Sequence, residues 1–301
     1  MSTLLSVITI NYNGLEDTSE LIRCIPVNDD RIEVIVVDNA SRNDEASELE
    51  RRFPEVTVVR STENKGFAGG NNLGIQASQG AYLFFINNDT LIPCFDDIFT
   101  LIGHLEDEQT TGIVCPKIKF AWEPQPMQFA GFTPLSRITV RNRAIGFGKT
   151  DNGQYDQPAT TPYAHGAAML VRRQTLEDVG LMPETFFLYY EEIDWSLSFR
   201  KKGYAVRYDP SMTILHKESR STGQHSPLKS YYLTRNRLLL VRRNWPAHLR
   251  PLTYLYLTVV VGLRDILLHT LHGEGAQRRA TLAGIADFLR HRTGRLTHPL
   301  S

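Results

Sequence analysis

The chain has little cysteine, no net charge and no long run of apolar residues free of charged ones, and each lack excludes something. Cys24, Cys94 and Cys115 are odd in number, far apart and without CxxC or Cys/His zinc spacing. Neither a disulfide scaffold nor a zinc module fits, and buried free thiols in a reducing compartment are expected. Lys and Arg total 33, as do Asp and Glu, so no overall field recruits a polyanion and nucleic acid is not an expected partner. The apolar run Leu4–Ile10 is strand-length and lacks a basic flank or small-residue cleavage site, so it reads as a strand of a cytoplasmic protein rather than a leader. Two fingerprints are also missing. Asn11-Tyr12-Asn13-Gly14 stands where a dinucleotide oxidoreductase would need GxGxxG, and no GxxxxGK[ST] occurs.

What is present is an ordinary folded α/β pattern. With 301 residues, 42% of them apolar, the chain can bury a sizeable core. β-Branched runs at Leu4–Ile10, Ile32–Val37, Val56–Val59 and Tyr82–Ile86 alternate with helical stretches at Leu15–Cys24, Asp44–Arg52 and Asn71–Ala77. That alternation predicts βαβ units and a mostly parallel sheet, which binds ligands in the polar loops beyond its strand ends. Strands are also expected at Ile113–Phe120, Tyr163–Val171 and Ala205–His216, and a helix at Glu191–Lys202; residues 122–162 show no clear pattern. From Leu228 the chain reads as helical, fraying past Arg292.

Beyond Tyr232 arginines greatly outnumber acids, so that end is basic and suits an anionic neighbour. Tyr254–Leu263 is strongly apolar but Arg264 and Asp265 interrupt it, and a bilayer span needs about 20 predominantly apolar residues. A core helix is expected there; a helix lying on a membrane surface beside the arginines is the alternative.

Three polar groups fall at successive strand ends. Asn11 and Asn13 face Asp38 across the first two. An Asp beyond a buried strand can accept a hydrogen bond from a uracil or thymine imide, or can cap the next helix with Ser41. Asn64, Lys65, Gly66, Phe67, Gly70 and Asn71 form a glycine-rich stretch before a helix, which suits a phosphate cradle or a tight turn. Asn87, Asn88 and Asp89 follow the fourth strand; their oxygens suit Mg²⁺ or Mn²⁺ held against a diphosphate, or form a plain turn.

These segments resemble glycosyltransferase family 2, particularly its rhamnosyltransferase-like branch. The resemblance rests on VITINYNG, VVDNAS, ENKGFAGGNNLG, FFINNDT, HGAAMLVRR, FFLYYEEIDWSLSFRKKGY and His216, from about Leu5 to about Arg243. It implies a GT-A nucleotide-diphospho-sugar transferase fold over residues 1–225, with a helical region over 226–301. Asp38 would hold the pyrimidine, and Asn11, Asn13, Asn64, Lys65, Gly66, Phe67, Gly70, Asn71 and Asn88 would surround the donor nucleotide. Asp89, Asn87 and His216 would form the metal site for Mg²⁺ or Mn²⁺, although relatives carry Asp where Asn87 stands. Glu192 matches the family's catalytic base, with Glu191 and Asp194 beside it on the same helix start. Arg200 would pair with an acid or a phosphate; His165, Gly166, Ala167 and Trp195 would line the acceptor pocket, His165 and Trp195 being equally suited to the core.

The implied activity is inverting transfer of rhamnose from dTDP-rhamnose to a glycan or lipid-linked acceptor in cell-surface polysaccharide synthesis. A UDP-sugar donor and a non-catalytic nucleotide-sugar or glycan binder are the alternatives. The expected location is cytoplasmic and peripheral on the inner membrane face, with the basic helices meeting anionic lipid or a second subunit of a homo-oligomer.

Overall fold

A computed structural model describes residues 3–218 and 226–297. Strands β1 (Leu5–Asn11), β2 (Ile32–Asp38), β3 (Thr57–Arg60) and β4 (Tyr82–Ile86) alternate with helices α1 (Leu15–Arg23), α2 (Glu45–Arg52) and α3 (Gly66–Ala77). They lie parallel in the order β3-β2-β1-β4. Strands β2 and β4 are nearly all apolar because both faces of the sheet are covered.

The second half adds β5 (Thr90–Leu91), α4 (Asp97–Asp107), β6 (Thr111–Phe120), β7 (Met127–Phe129), β8 (Ala159–Thr160), β9 (Ala168–Arg172), α5 (Thr175–Val179), α6 (Glu191–Lys201) and β10 (Ala205–His216). The sheet continues β4-β9-β6-β10-β5, with β9 antiparallel to both β4 and β6. The fold is therefore α/β with a parallel first half and a mixed sheet overall. The strand expected at Tyr163–Val171 begins only at Ala168, because side chains take the place of a ladder before it: Ala164 N–H donates to Ser196 Oγ and Ala167 N–H to His165 Nδ1.

Helix α3 starts at Gly66, earlier than expected, and absorbs the glycine-rich stretch. A Cβ on Gly70 would lie 2.7 Å from Ile10 Cδ1, and one on Gly74 2.3 Å from Ile8 Cγ2. These glycines let α3 lie close on β1.

Three helical stretches complete the described chain: α7 (Pro227–Asn244), a continuous rod Arg250–Leu271, and α10 (Gly275–Leu289). The rod consists of α8 (Arg250–Leu255), a π-helical stretch Tyr256–Gly262 and α9 (Leu263–Leu271). The boundary expected at 225 lies outside the described residues. Leu238–Val241, Trp245, Leu257, Val261 and Phe288 share one core with Phe186, Tyr190 and Ile193.

Three expectations for this end and for the thiols are corrected. The apolar run Tyr254–Leu263 is not a core helix: Thr253, Leu257 and Val261 are buried, but Leu255, Val259, Val260 and Leu263 are exposed. Residues past Arg292 do not fray as far as 297, since Gly294 N–H bonds Thr185 O at 2.7 Å and Leu296 N–H bonds Tyr232 Oη at 2.9 Å; the rest of that call, 298–301, lies outside the described residues. All three cysteines are free, but Cys115 alone of them is buried, Cys24 being half-buried and Cys94 exposed.

Gly74→Ala is expected to destabilise the protein by about 1–3 kcal/mol in denaturant unfolding, overpacking against Ile8 outweighing alanine's better helix propensity. Gly103→Ala in α4, where a Cβ meets nothing within 4 Å, is expected to stabilise by up to about 1 kcal/mol. Equal effects at the two positions would remove the packing account of α3.

Candidate active site

The ends of β1 and β2 are joined by a buried polar network. Asn11 Nδ2 donates to Asp38 Oδ1 (2.9 Å), Ser41 Oγ (3.1 Å) and Glu45 Oε2 (2.8 Å), while Asn11 Oδ1 accepts from Thr18 Oγ1 (2.7 Å). Asn13, at φ +53°, donates its N–H to Ser41 Oγ and accepts from Arg42 N–H. Asn11 and Asn13 thus fix the loop that holds Asp38. Asp38 Oδ2 accepts one long bond, from Ser41 N–H at 3.3 Å, and retains acceptor capacity. Glu45, which also accepts from Gly14 N–H, escapes sequence reasoning because an acid in a first helical turn reads as a dipole partner.

The glycine-rich stretch expected as a phosphate cradle forms the start of α3. Its amides are spent inside the protein: Lys65 N–H on Asn39 Oδ1, Gly66 N–H on Asn64 Oδ1 and Phe67 N–H on Phe187 O. Gly70 and Asn71 are buried within α3, and Asn71 Nδ2 caps Phe67 O. Asn88 joins the network of Asn11 and Asp38, donating to Thr18 Oγ1 at 3.0 Å.

Beyond β4 the chain makes a metal-sized pair. Strand β5 runs antiparallel to the end of β10, with His216 opposite Thr90, so Asp89 is carried next to His216 across 127 positions. Asp89 Oδ1 lies 3.1 Å from His216 Nε2, and His216 Nδ1 is 2.8 Å from Gln128 Oε1. Gln128 fixes the ring with Nε2 toward Asp89, the kind of outer partner that metal-binding histidines use. Burial pushes the Asp89 carboxyl up, but the hydrogen bond from His216, with the charges of His216 and Lys217, outweighs it and holds the group below its ordinary value. Asn87 is half-buried beside them, its N–H on Ala167 O. Among the described residues no group of three His, Cys, Asp or Glu could hold a metal by itself. One carboxylate and one imidazole, with phosphate oxygens completing the shell, fit a divalent cation bound together with a diphosphate.

The third part of the site is the start of α6. A Cβ on Gly166 would come within 3.8 Å of both Glu192 Cγ and the Phe67 ring, so Glu192 faces the His165–Ala167 segment. The His165 ring stacks on Phe132 (5.9 Å, 8°) and meets His216 edge-on at 6.4 Å. Burial, with the charge of His216, pushes its pKa down to about 3, so it is neutral. Burial pushes the Glu192 carboxyl up to about 7 against the pull of nearby backbone N–H groups. Glu191 is buried and raised well above the carboxylate range, first by burial and then by the charge of Glu192. Its Oε2 has no hydrogen-bond partner among the described residues.

The remaining expected residues do not join the cleft. Asp194 is buried and held by Arg243 (Nη2–Oδ2 2.9 Å) and Asn244 (2.5 Å), so it ties α6 to α7. Trp195 is core, packed edge-on against Phe85 and Phe199, its Nε1–H on Gly180 O. Arg200 is exposed in the last turn of α6, about 12 Å along the axis from Glu192.

The loop that launches α6 is unusual. Phe187, Tyr189 and Tyr190 all have left-handed φ (+70°, +68°, +79°), where bulky residues are strained. Asn236 Nδ2 gathers the carbonyls of Phe186 (3.0 Å), Leu188 (2.7 Å) and Tyr189 (3.1 Å), and Arg235 Nη2 adds a second bond to Phe186 O at 2.9 Å. Both side chains are buried. Sequence reasoning counted Arg235 with the basic surface; the one available signal is a polar pair flanked by Leu233 and Leu238.

Comparison with known proteins follows the same outline. The model of the family described as glycosyl transferase family 2 matches residues 6–180. A low-salt glycan biosynthesis hexosyltransferase of Haloferax volcanii is 26% identical over 266 residues, covering 85% of this chain and 81% of that protein. A dTDP-rhamnosyl transferase of Shigella flexneri is 22% identical over 287 residues, covering 90% and 88%. The solved structure of GalNAc-T7 with UDP, GalNAc and Mn²⁺ superposes with a TM-score of 0.61 at 14% identity, over 80% of this chain and 48% of that one. This chain thus spans about half of that protein, and the likeness shows a shared GT-A fold.

Two outcomes are expected from this geometry. Asn236→Ala leaves buried carbonyls without their donor and is expected to cost about 3 kcal/mol of stability in denaturant unfolding; a change below about 0.5 kcal/mol would mean the loop holds itself. Glu191 keeps a proton in the fold that the unfolded chain releases, so stability falls as pH rises above the ordinary carboxylate range toward its raised folded value. Glu191→Gln, which cannot ionise, is expected to raise the unfolding midpoint more at about pH 8 than at about pH 5. A pH-independent difference would contradict that assignment.

Proposed function

This chain belongs to glycosyl transferase family 2, and on that premise we propose that it transfers rhamnose from dTDP-rhamnose, with inversion, to a hydroxyl of a glycan or lipid-linked saccharide. The observation that carries the reading is the convergence of Glu192, the Asp89–His216 pair and Asp38 on the loop side of one sheet. The likeness to a dTDP-rhamnosyl transferase over 90% of the chain supports the donor. Asp38 accepts from the imide N–H that thymine and uracil share, so a UDP-sugar is the competing donor.

In this reading the Glu192 carboxylate takes the proton of the acceptor hydroxyl as its oxygen bonds to the anomeric carbon. The nucleoside diphosphate leaves from the opposite face. A base titrating near neutral pH is suited to that work. Asp89 and His216, with Asn87 beside them, would hold Mg²⁺ or Mn²⁺, which neutralises charge growing on the departing diphosphate. Neutral His165 and the missing side chain of Gly166 leave room next to Glu192 for the reacting sugar.

The proposal includes residues 1–225 as the transferase part, 226–301 as its helical support, and a cytoplasmic location, which the three free thiols support.

The test is nucleoside diphosphate release from a panel of dTDP- and UDP-sugars, with and without Mn²⁺ or Mg²⁺ and with saccharide acceptors. Release from dTDP-rhamnose is expected, falling about 10²–10⁴-fold in Glu192→Gln while donor binding persists. Because the base must be ionised, kcat/KM is expected to fall as pH drops below about 7. Release from UDP-sugars alone would reassign the donor. Binding without release, with acceptors present, would make the protein a non-catalytic binder.

A further inference from the structure

The rod Arg250–Leu271 is long and apolar enough to cross a bilayer by length and composition, spanning about 33 Å at the α-helical rise. It does not stand free. Leu257 and Val261 are sealed into the core of Leu238–Val241, Trp245 and Phe288. Thr253 Oγ1 donates to Arg137 O at 2.8 Å, and a Cβ on Gly262 would lie 3.1 Å from Ile285 Cδ1. The opposite face is just as apolar and uncovered: Leu252, Leu255, Val259, Leu263, Leu267 and Leu271 are 46–71% exposed. They recur at helical spacing, so they form one stripe along the rod. The neighbouring α10 adds exposed Leu282 and Leu289. A contiguous apolar surface of this kind marks an interaction site.

Charge indicates what covers it. Residues 226–297 carry twelve basic side chains (Lys229 and eleven arginines) and three acids, Asp265, Glu274 and Asp287; with Arg235 buried and Arg243 paired with Asp194, ten basic side chains still face three acids. Arg264, Arg279, Arg290 and Arg295 are exposed. A second copy would bring this positive region against its own like, whereas an anionic bilayer meets both the leucines and the arginines.

We propose that this rod is an interfacial helix, lying along an anionic membrane surface with its leucine stripe in the headgroup–acyl boundary. The rod's inner face shares a core with Phe186, Tyr190 and Ile193 at the start of α6, so docking fixes the Glu192 helix relative to the membrane. Because the surface is read from exposure and charge, the inference stands apart from the choice of donor and acceptor.

The test is co-sedimentation of the full chain with vesicles of phosphatidylglycerol and phosphatidylcholine mixed equally, against phosphatidylcholine alone, at low and high salt. The wild type is expected to pellet with the anionic vesicles at low salt and to be released by high salt. Leu263→Asp/Leu267→Asp is expected to lower binding at least about ten-fold, with an unchanged thermal midpoint, since both residues are exposed. Four results would overturn the proposal. One is a wild type that stays in the supernatant. Another is a leucine variant that binds like wild type. The third is a lipid-free dimer by light scattering that the leucine variant dissociates while vesicles bind neither protein. The fourth is vesicle-bound protein that only detergent releases, which would replace an interfacial helix with a spanning one.

Discussion

The structure depends on the conformation of five residues, Phe186–Tyr190. Three of them carry bulky side chains in the left-handed region, each costing about 1–3 kcal/mol. Their carbonyls point inward, where an unpaired acceptor would cost more. Such a loop persists only if its surroundings over-determine it, and here they do so from two sides. Phe187 O is capped by Phe67 N–H at the start of α3, and a Cβ on Gly66 would lie 2.0 Å from that same oxygen. Gly66 is required twice, for its φ of +71° and for its missing side chain. From the other side Asn236 and Arg235 gather the carbonyls of Phe186, Leu188 and Tyr189, while Tyr190 O accepts from Asp194 N–H in α6. The nucleotide-binding half, the helix of Glu192 and the C-terminal helices therefore meet at one strained loop. The helical region thus buttresses the start of α6.

What was legible in the sequence was what local periodicity and strand ends encode. The βαβα alternation through Ile86, the helix at Glu191 and the meeting of Asp89 with His216 all follow from short patterns or from family resemblance. What was hidden depends on residues far apart in the chain. Gln128 reaches His216 across 88 positions from a segment with no pattern of its own. The glycines of α3 read as a phosphate loop because glycine is a poor helix former. In the fold, close approach to Ile8 and Ile10 outweighs propensity. Arg235 sits in a helix rich in arginine, so composition counted it with the basic end, whereas it is buried beside Asn236.

The same averaging obscured the C-terminal rod. A window containing Arg264 and Asp265 is too charged for a typical bilayer span and too apolar for a solvated helix, which in sequence points to a core position. The rod in fact divides its two faces between two environments. Leu257 and Val261 satisfy the protein core, and the opposite leucines are left over. A sequence pattern registers only that the helix is apolar all round. That is the signature of an element buried on every side, and here the protein covers one side of it.

Glu191 and Glu192 show how the scaffold separates two chemically identical neighbours. Both stand at a helix start, where the dipole favours their ionised forms, and both are raised because burial outweighs it. Two adjacent carboxylates in a dry site do not both ionise readily, so the pair titrates as a unit and keeps one proton past the ordinary range. Consecutive helical positions diverge by about 100°, which directs one side chain into the core and the other toward Gly166. The buried member, whose Oε2 has no partner among the described residues, is the costlier one to charge and so retains the proton. Glu192 is then left to lose its own near neutral pH, at the edge of the cleft where an incoming hydroxyl would need a base. The left-handed loop sets this division, because it fixes the rotation at which α6 begins.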